Sequence, residues 1–440
     1  MNRVAAMNRR LSPSRTLFIL TGLNLFNYLD RNVLAAVLDP VQAQFRLTDE
    51  QGGRLNTAFM LGYFVTAPLF GYLGDRAARK WLIAVGIAVW SLGTVLTGFA
   101  TSLAMILALR TIVGVGEASY ASISPGWISD VFGTEKRNNA LTIFYVAIPV
   151  GSALGYIMGG QIAAHWGWRY AFIWAGLPGL VLALSLLPFQ EPRRGLAEGL
   201  ENEIRLPRLK DVQKIFCLAD FHLLVWGYVA YTFAMGAFAY WGPSYLQRVH
   251  NLTKSSASLF LGAVVVVAGL IGTFAGGFAA TAWRRRNRAA YGLVLGCSTL
   301  AAVPPAVLTF VTGNAAVCMA SLAVTVFLLF LSTGPVNTLI VETVPVNLRA
   351  SAMAISIFMI HLFGDLWSSQ LMGAVSDHWH RLQTAGLISD RWHSLQAAGL
   401  ILPGALVIGA ALWLALAWKT IRAGPGRVVL SESRVITFTK

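Results

Sequence analysis

The sequence predicts an all-α membrane protein that crosses the bilayer twelve times, as two pseudo-symmetric halves of six helices each. Only 12% of its 440 residues are charged and 56% are hydrophobic, whereas soluble domains are about 25% charged. Apolar runs long enough to cross a bilayer recur twelve times. A strongly charged segment, residues 189–220, separates the first six runs from the last six. Together these observations indicate a polytopic membrane protein with two structural repeats.

Each predicted helix rests on a run of about 20 mostly apolar residues, the length that crosses a bilayer. The twelve predicted spans are residues 16–38, 54–73, 81–100, 102–124, 140–163, 170–188, 221–241, 257–280, 290–311, 315–340, 350–374 and 396–418. The domain boundaries follow from these runs. We predict an N-terminal half at 1–188, a linker at 189–220, a C-terminal half at 221–418 and a tail at 419–440.

The distribution of basic residues predicts the orientation, because cytoplasmic loops of membrane proteins carry an excess of Lys and Arg. With the N-terminus inside, 25 of the 34 Lys and Arg residues fall on the cytoplasmic side and 7 on the other. We therefore predict that both termini and the linker are cytoplasmic. The basic N-terminus precedes an apolar run too long for a signal peptide, so we expect this first helix to be retained.

Composition also sets several function classes aside. The formal net charge of +15 follows from the basic cytoplasmic loops, so no nucleic acid partner is expected. The three cysteines are far apart and predict neither a disulfide framework nor a metal site. No catalytic set of side chains converges, which makes a lipid-modifying membrane enzyme the weaker alternative. We expect no cofactor other than protons as the coupling ion.

The segment GYLGDRAARK, Gly71–Lys80, follows the second span and predicts a conformational latch. Its glycines allow close backbone approach, and its acid can face the positive N-terminal end of the eleventh span. One of its arginines is predicted to pair with an acid at the end of the fourth span. The predicted latch residues are Gly71, Gly74, Asp75, Arg76, Arg79 and Asp130. The alternative is a tight turn that carries ordinary cytoplasmic charges. This spacing resembles the conserved loop of the major facilitator superfamily, which implies the major facilitator fold.

Four charged residues lie inside just two of the predicted spans: Asp30 and Arg31 in the first, Arg110 and Glu117 in the fourth. Charges within a membrane are costly and mark functional sites by default. At a rise of about 1.5 Å per residue, Asp30 lies about 9 Å and Arg110 about 12 Å below the same membrane edge. We therefore predict that Asp30 and Arg110 form an ion pair.

The same count places Glu117 about 22 Å below that edge, with no basic residue of these two helices at its level. A desolvated, weakly paired carboxyl group takes up a proton readily. We therefore predict that Glu117 is the principal proton-coupling residue and Asp30 the second. Arg31, about 100° around the helix from Asp30, is predicted to hold an anionic substrate or to bridge the halves. The alternative is a static ion-pair network that fixes helix packing.

Further polar and aromatic residues predict a substrate cavity. Gly, Pro and Asn residues interrupt spans seven and ten, as in gating helices beside a cavity. His361 and Asp365 lie one turn apart in span eleven, where they either join the proton relay or orient a neighbouring helix. The predicted cavity residues are Tyr120, Tyr145, Trp241, Asn337, His361 and Asp365.

Several segments together resemble the Spinster family of that superfamily, over nearly the whole chain. The first half carries NYLDR in span one and GEASY and AIPVGSALGY in spans four and five. The second half carries YWGPSYL, GPVNTLIVETVPVNLRASAMA and HLFGDLWSSQLMGAVSD. The resemblance implies proton-linked transport of lipid-like substrates such as lysophospholipids or sphingosine phosphate. It also implies proton-coupling roles for the buried acid and the Arg and Glu of span four, here Asp30, Arg110 and Glu117.

The sequence therefore predicts a secondary transporter that works by alternating access on an amphipathic, lipid-like substrate. The alternative in the same class is a proton-coupled symporter of small organic anions, since a YLDR segment paired with Arg and Glu also occurs there. A receptor or channel is weaker, because the predicted latch and paired halves serve rocking rather than a fixed pore. We expect a monomer in a bacterial inner membrane.

Overall fold

The computed structural model describes residues 12–132, 134–186, 213–344, 349–389 and 393–422. Every regular element in these ranges is helical. The α-helices are α1 (Pro13–Ala36), α2 (Leu38–Phe45), α3 (Asp49–Arg76), α4 (Arg79–Thr97), α5 (Leu103–Val131), α6 (Thr134–His165), α7 (Trp168–Ser185), α8 (Ala219–His250), α9 (Lys254–Arg284), α10 (Ala290–Val311), α11 (Ala315–Phe330), α12 (Thr333–Glu342), α13 (Arg349–Ile360), α14 (Leu366–Thr384), α15 (Ser394–Gly399) and α16 (Ile401–Arg422). A 3₁₀ turn, Lys214–Cys217, precedes α8, and a π-helical turn, His361–Asp365, joins α13 to α14.

These helices confirm the predicted all-α fold. Within the described residues, nine stretches are long and apolar enough to cross a membrane, and Trp168–Leu184 is a shorter apolar helix. The other two predicted spans are α1 and α3. Helix α1 is less apolar because it holds Asp30 and Arg31 in its interior.

We predicted that the helices of spans seven and ten are interrupted, and the structure shows only the second of these two interruptions. Span ten is broken as expected: α11 ends at Phe330, and α12 begins at Thr333. Span seven lies within one continuous helix, Ala219–His250, which contains Pro243. The predicted interruption of span seven is therefore wrong. Tertiary packing of a long apolar helix outweighs the loss of one backbone hydrogen bond at proline.

The chain divides into two compact units. The first comprises the described residues within Met1–Asn202, Tyr240–Val266 and Ser369–Asp377. In it, α1 packs on α6, α3 on α5, and α4 on both α5 and α7. Helices α3 and α5 approach closely enough that a Cβ at Gly114 would collide with the Phe59 carbonyl. Glycine at this position therefore permits backbone contact between these two helices.

The second unit comprises the described residues within Glu203–Ala239, Val267–Ser368 and His378–Lys440. Here α10 packs against α16 and α11. Trp413 of α16 is fully buried and donates a hydrogen bond from Nε1 to the Leu224 carbonyl at 2.9 Å. The predicted boundaries of the halves, linker and tail stay a prediction. Most of the linker and tail lies outside the described residues.

Candidate functional site

Helices α1 and α5 bring Arg31 and Glu117 into an ion pair. Arg31 donates to Glu117 Oε2 from Nε at 3.1 Å and from Nη2 at 2.7 Å. The Glu117 side chain is completely buried, whereas that of Arg31 is 20% exposed. The pair therefore links a fully buried carboxylate to an arginine whose side chain is partly exposed.

Asp30, the residue before Arg31, has a different kind of partner. Its Oδ2 accepts a hydrogen bond from Thr94 Oγ1 of α4 at 2.6 Å. Its Oδ1 is buried without a hydrogen-bond partner among the described residues. Asp30 and Thr94 are each only 1% exposed. A buried acid without an ion pair can be protonated without separating two charges.

Aromatic rings surround the two arginines. The Arg31 guanidinium carbon lies 4.8 Å from the ring centroid of Tyr28, 4.9 Å from that of Phe59 and 5.2 Å from that of Tyr63. The buried Arg110 guanidinium carbon lies 4.7 Å from the Phe59 centroid. These distances suit cation–π attraction, which strengthens where charges are desolvated. Both arginines thus lie against aromatic faces, and Arg31 is also held by the Glu117 carboxylate.

The predicted Asp30–Arg110 ion pair is not formed: among the described residues, no salt bridge joins these two side chains. They do interact electrostatically, as part of the same cluster with Glu117 and Arg31. The prediction that Glu117 has no basic partner is also wrong. Axial depth counting treats each side chain as lying level with its own Cα. The long side chain of Arg31 extends well beyond the level of its Cα and reaches Glu117 on α5.

The predicted latch lies only partly within the described residues. Arg79 is 8% exposed and donates from Nε to the Gly74 carbonyl at 3.2 Å, which closes the turn between α3 and α4. Gly71 and Gly74 both lie in the last turns of α3. The side chains of Asp75, Arg76 and Asp130 lie outside the described residues, so the pairing of the latch stays a prediction.

Two of the predicted cavity residues are packed in the protein interior instead. Tyr120 is fully buried, donates its hydroxyl to the Leu20 carbonyl and packs edge-on against Trp90. Trp241 is also fully buried and donates to the Ser369 carbonyl at 2.9 Å. Their polar atoms satisfy backbone carbonyls, so neither side chain lines an open cavity in this structure.

The other predicted cavity residues keep some exposure. Tyr145 is 48% exposed, and Asn337 is exposed with its amide bonded to the Thr333 carbonyl at 3.0 Å. His361 Nδ1 lies 3.1 Å from Asp365 Oδ2, and both side chains are partly exposed. This pair lies within the π-helical turn of the second unit. Such turns are frequent at functional sites.

A second polar cluster, which the sequence did not reveal, lies at the junction of α2 and α3. We call it the Arg248 network, and its members are Arg248, Asp39, Gln42, Asp49, Ser376 and Asp377. Arg248 donates to Asp39 Oδ1 at 2.8 Å, to Asp49 Oδ1 at 2.6 Å and to Gln42 Oε1 at 2.5 Å. One guanidinium thus ties the end of α8 to α2 and to the start of α3.

Helix α14 completes the Arg248 network. The Asp377 carboxylate accepts from the backbone N–H groups of Asp49 at 2.9 Å and Glu50 at 2.8 Å. It therefore caps the N-terminus of α3, where negative charge is favourable. Ser376 donates to Asp49 Oδ2 at 2.7 Å, and a Cβ at Gly373 would collide with the Asp49 carbonyl. The one sequence feature that pointed to this network is Arg248, which is a basic residue on the predicted non-cytoplasmic side, where few basic residues lie.

Comparisons with known proteins identify the superfamily. The model of the Major Facilitator Superfamily matches residues 20–368. A solved bacterial homologue of the human lysosomal transporter Spinster, in an inward-facing and unoccupied conformation, superimposes with a TM-score of 0.85 at 22% identity. That match covers 93% of this chain and 98% of the other. The chain is therefore a membrane transporter of the major facilitator superfamily rather than an enzyme.

Curated relatives identify the family to which the chain belongs within this superfamily. Protein spinster of Drosophila melanogaster is 34% identical, covering 82% of this chain, which spans 62% of that protein's length. The sphingosine-1-phosphate transporter SPNS2 of Danio rerio is 35% identical, covering 85% of this chain and 78% of that protein. A probable sphingolipid transporter, spinster homolog 1 of Arabidopsis thaliana, is 32% identical, covering 85% of each chain. The chain belongs to the Spinster family.

Proposed function

We propose that the protein is a proton-coupled transporter that moves an amphipathic, anionic or zwitterionic lipid-like substrate by alternating access. This proposal rests on the observation that two buried acids, Glu117 and Asp30, have different kinds of partner. Among the described residues, Glu117 forms an ion pair with Arg31, whereas Asp30 accepts its hydrogen bond from the neutral hydroxyl of Thr94. Coupling requires two parts. One is an acid that gains and loses a proton easily, and the other is an acid that holds an arginine which the substrate can contact.

Asp30 is the proton-carrying residue in this proposal, and Glu117 takes the second role. Protonating Asp30 neutralises one acid of the cluster and breaks no ion pair. Protonating Glu117 would leave Arg31 without its counter-charge, and breaking a buried pair by removing one partner costs about 3–5 kcal/mol. The structure thus favours the reverse of the order predicted from depth.

Arg31 is the proposed contact for the substrate's anionic group. Its side chain is partly exposed, and a guanidinium binds phosphate and carboxylate oxygens with strong, charge-assisted hydrogen bonds. A phosphate at Arg31 competes with Glu117, so substrate binding releases that acid toward protonation. The rings of Tyr28, Phe59 and Tyr63 supply an apolar surface beside the charge.

The Arg248 network is the proposed clasp that closes the non-cytoplasmic end during the cycle. It joins helix ends from both halves of the sequence, and the positive-inside prediction places those ends away from the cytoplasm. Three of its four charged side chains are known to be only partly buried: Arg248 is 23%, Asp39 18% and Asp49 12% exposed. Water can therefore replace these bonds when the clasp opens, at a modest cost.

The relatives' names support a lipid-like substrate, since two of them are called transporters of sphingosine-1-phosphate and of sphingolipids. A lysophospholipid has the same chemistry, a charged headgroup on one long apolar chain. The proposal further places the protein in a bacterial inner membrane as a monomer, with both termini cytoplasmic and protons as the coupling ion.

Uptake into proteoliposomes tests this function. Purified protein would be offered a labelled lysophospholipid, sphingosine phosphate or a small organic anion such as lactate, with and without a pH gradient. We expect gradient-stimulated movement of a lipid substrate and none of lactate. Stimulated lactate uptake with no lipid movement would instead establish the organic anion symporter, and equal lipid movement with and without the gradient would contradict proton coupling.

A further inference from the structure

We propose that Thr94 is a positioning residue for proton uptake at Asp30, an inference that rests on the proposed function. Thr94 lies on α4, and Asp30 lies on α1. The hydrogen bond between them joins two different helices at 2.6 Å. Both residues are almost completely buried, so no bulk water competes for the contact.

Other helical threonines of the chain use their hydroxyl groups differently. Thr97, one turn further along α4, donates to the carbonyl of Gly93 four residues earlier at 2.8 Å. Thr66, Thr111 and Thr232 make the same local bond to their own helices. This bond is the ordinary use of a threonine hydroxyl inside a helix. Thr94 instead donates to a carboxylate on another helix, which indicates a role beyond helix packing.

A hydroxyl partner suits an acid that must gain and lose a proton. A threonine hydroxyl carries one donor hydrogen and two acceptor lone pairs. It donates to the carboxylate of Asp30. When a hydronium ion transfers its proton to Oδ2, a water molecule is left, and the hydroxyl rotates and accepts from the new carboxylic acid. The contact therefore survives in both protonation states, whereas an arginine or lysine can only donate.

Three charged groups act on Asp30 besides this hydroxyl. They are Glu117 and Arg110 on α5 and Arg31 on α1. Glu117 opposes the negative charge of Asp30, and the two arginines favour it. None of them forms a salt bridge with Asp30 among the described residues, and there the hydrogen bond to the carboxylate comes from Thr94. Its loss should affect the carboxylate more than the neutral acid, because hydrogen bonds to charged groups are the stronger ones.

Three variants test the assignment: Thr94→Val, which removes the hydroxyl at nearly constant shape, Thr94→Ser, which keeps it, and Thr97→Val as the matched control. The first readout is the pH profile of uptake in proteoliposomes. We expect Thr94→Val to move the profile toward alkaline pH by about one unit, because the carboxylate loses a charge-assisted hydrogen bond that is stronger than the one the neutral acid loses. Thr94→Ser and Thr97→Val should keep the wild-type profile.

The second readout is independent of transport. The infrared band of protonated carboxyl groups would be titrated without substrate, with Asp30→Asn identifying the contribution of Asp30. We expect this band to appear at higher pH in Thr94→Val than in Thr94→Ser. An unchanged band would overturn the role of Thr94. A shifted band in a protein whose transport ignores the pH gradient would support Thr94 and overturn the proposed function instead.

Discussion

Arg31 donates two hydrogen bonds to one oxygen of Glu117, at 3.1 and 2.7 Å, while the other carboxylate oxygen is buried without a partner among the described residues. One oxygen of the carboxylate is thus strongly bound, and the other is buried without a hydrogen bond of good geometry among the described residues. A buried polar atom without a partner costs about 1–3 kcal/mol. This arrangement suits an ion pair that opens during each transport cycle rather than one that only stabilises the fold.

The first prediction concerns the geometry of this pair. Arg31→Lys keeps the positive charge but loses the two-donor contact and the flat face that stacks on aromatic rings. We expect lipid uptake to fall by about tenfold, the effect of losing one charged hydrogen bond. Uptake rates in proteoliposomes at matched protein content would measure this loss. Wild-type uptake by the lysine variant would show that charge alone suffices.

The second prediction concerns the Arg248 network as a clasp. Arg248→Ala removes all three bonds of the guanidinium at the α2–α3 junction. Arg54→Ala is the matched control, because Arg54 pairs with Glu50 in an exposed contact on α3 that does not bridge helices. Exposed pairs of this kind contribute little.

The clasp can be measured by thiol accessibility. A cysteine would replace Asn56, whose amide bonds to Ser369 Oγ at 3.0 Å, after the three natural cysteines are replaced. We expect an impermeant thiol reagent applied from the non-cytoplasmic side to label it several-fold faster after Arg248→Ala. The Arg54→Ala rate should match the parent. Equal rates in all three proteins would rule out the clasp.

The third prediction concerns acid stability at Asp49, which precedes the predicted span at residues 54–73. Burial raises the pKa of Asp49, but the Arg248 guanidinium and hydrogen bonds from Ser376 and Gln42 outweigh it and hold the pKa below its ordinary value. A depressed pKa gives stability that is present above the unfolded value of about 4 and is lost as pH falls through the folded value. The stability advantage of wild type over Asp49→Asn should therefore shrink below about pH 4.

Thermal unfolding in detergent at several pH values measures this effect. Both proteins would be compared from neutral to strongly acidic pH, so that general acid denaturation cancels in the difference. A constant difference in melting temperature across the series would show that Arg248 does not stabilise the Asp49 carboxylate.

The fourth prediction concerns helix packing. A Cβ at Gly114 would collide with the Phe59 carbonyl, whereas one at Gly22 would meet nothing within 4 Å. Overpacking costs about 1–3 kcal/mol, so Gly114→Ala should lower the melting temperature and Gly22→Ala should leave it unchanged. Equal melting temperatures would mean that α3 and α5 can separate without cost.

Much of the fold was predictable from the long apolar runs. Inside a bilayer, every backbone N–H and C=O group must form a hydrogen bond within the protein, and a helix meets this requirement. The four charges of spans one and four were found for the same reason, since a charge inside a membrane is costly. Their pairing was not predictable. Helical rise fixes the depth of Cα atoms, but the reach of Arg31 and the hydroxyl of Thr94 decide which groups meet.

The Arg248 network escaped prediction for a different reason. Its members are ordinary polar residues at helix ends, where charges cost little, and the position of Arg248 on the side with few basic residues does not reveal its partners. Only folding brings Asp377 to the N-terminus of α3, more than 300 residues away. Tyr120 and Trp241 show the opposite error, because an aromatic residue in a membrane helix has the same sequence signature whether it packs or lines a cavity.

The central claim is that Asp30 carries the coupled proton, and Asp30→Asn tests it most directly. Asparagine can still accept from Thr94 but cannot bind and release a proton. Uptake driven by a pH gradient should be abolished, while exchange of labelled for unlabelled lipid at equal pH should continue. Gradient-driven accumulation by Asp30→Asn at the wild-type level would contradict the account.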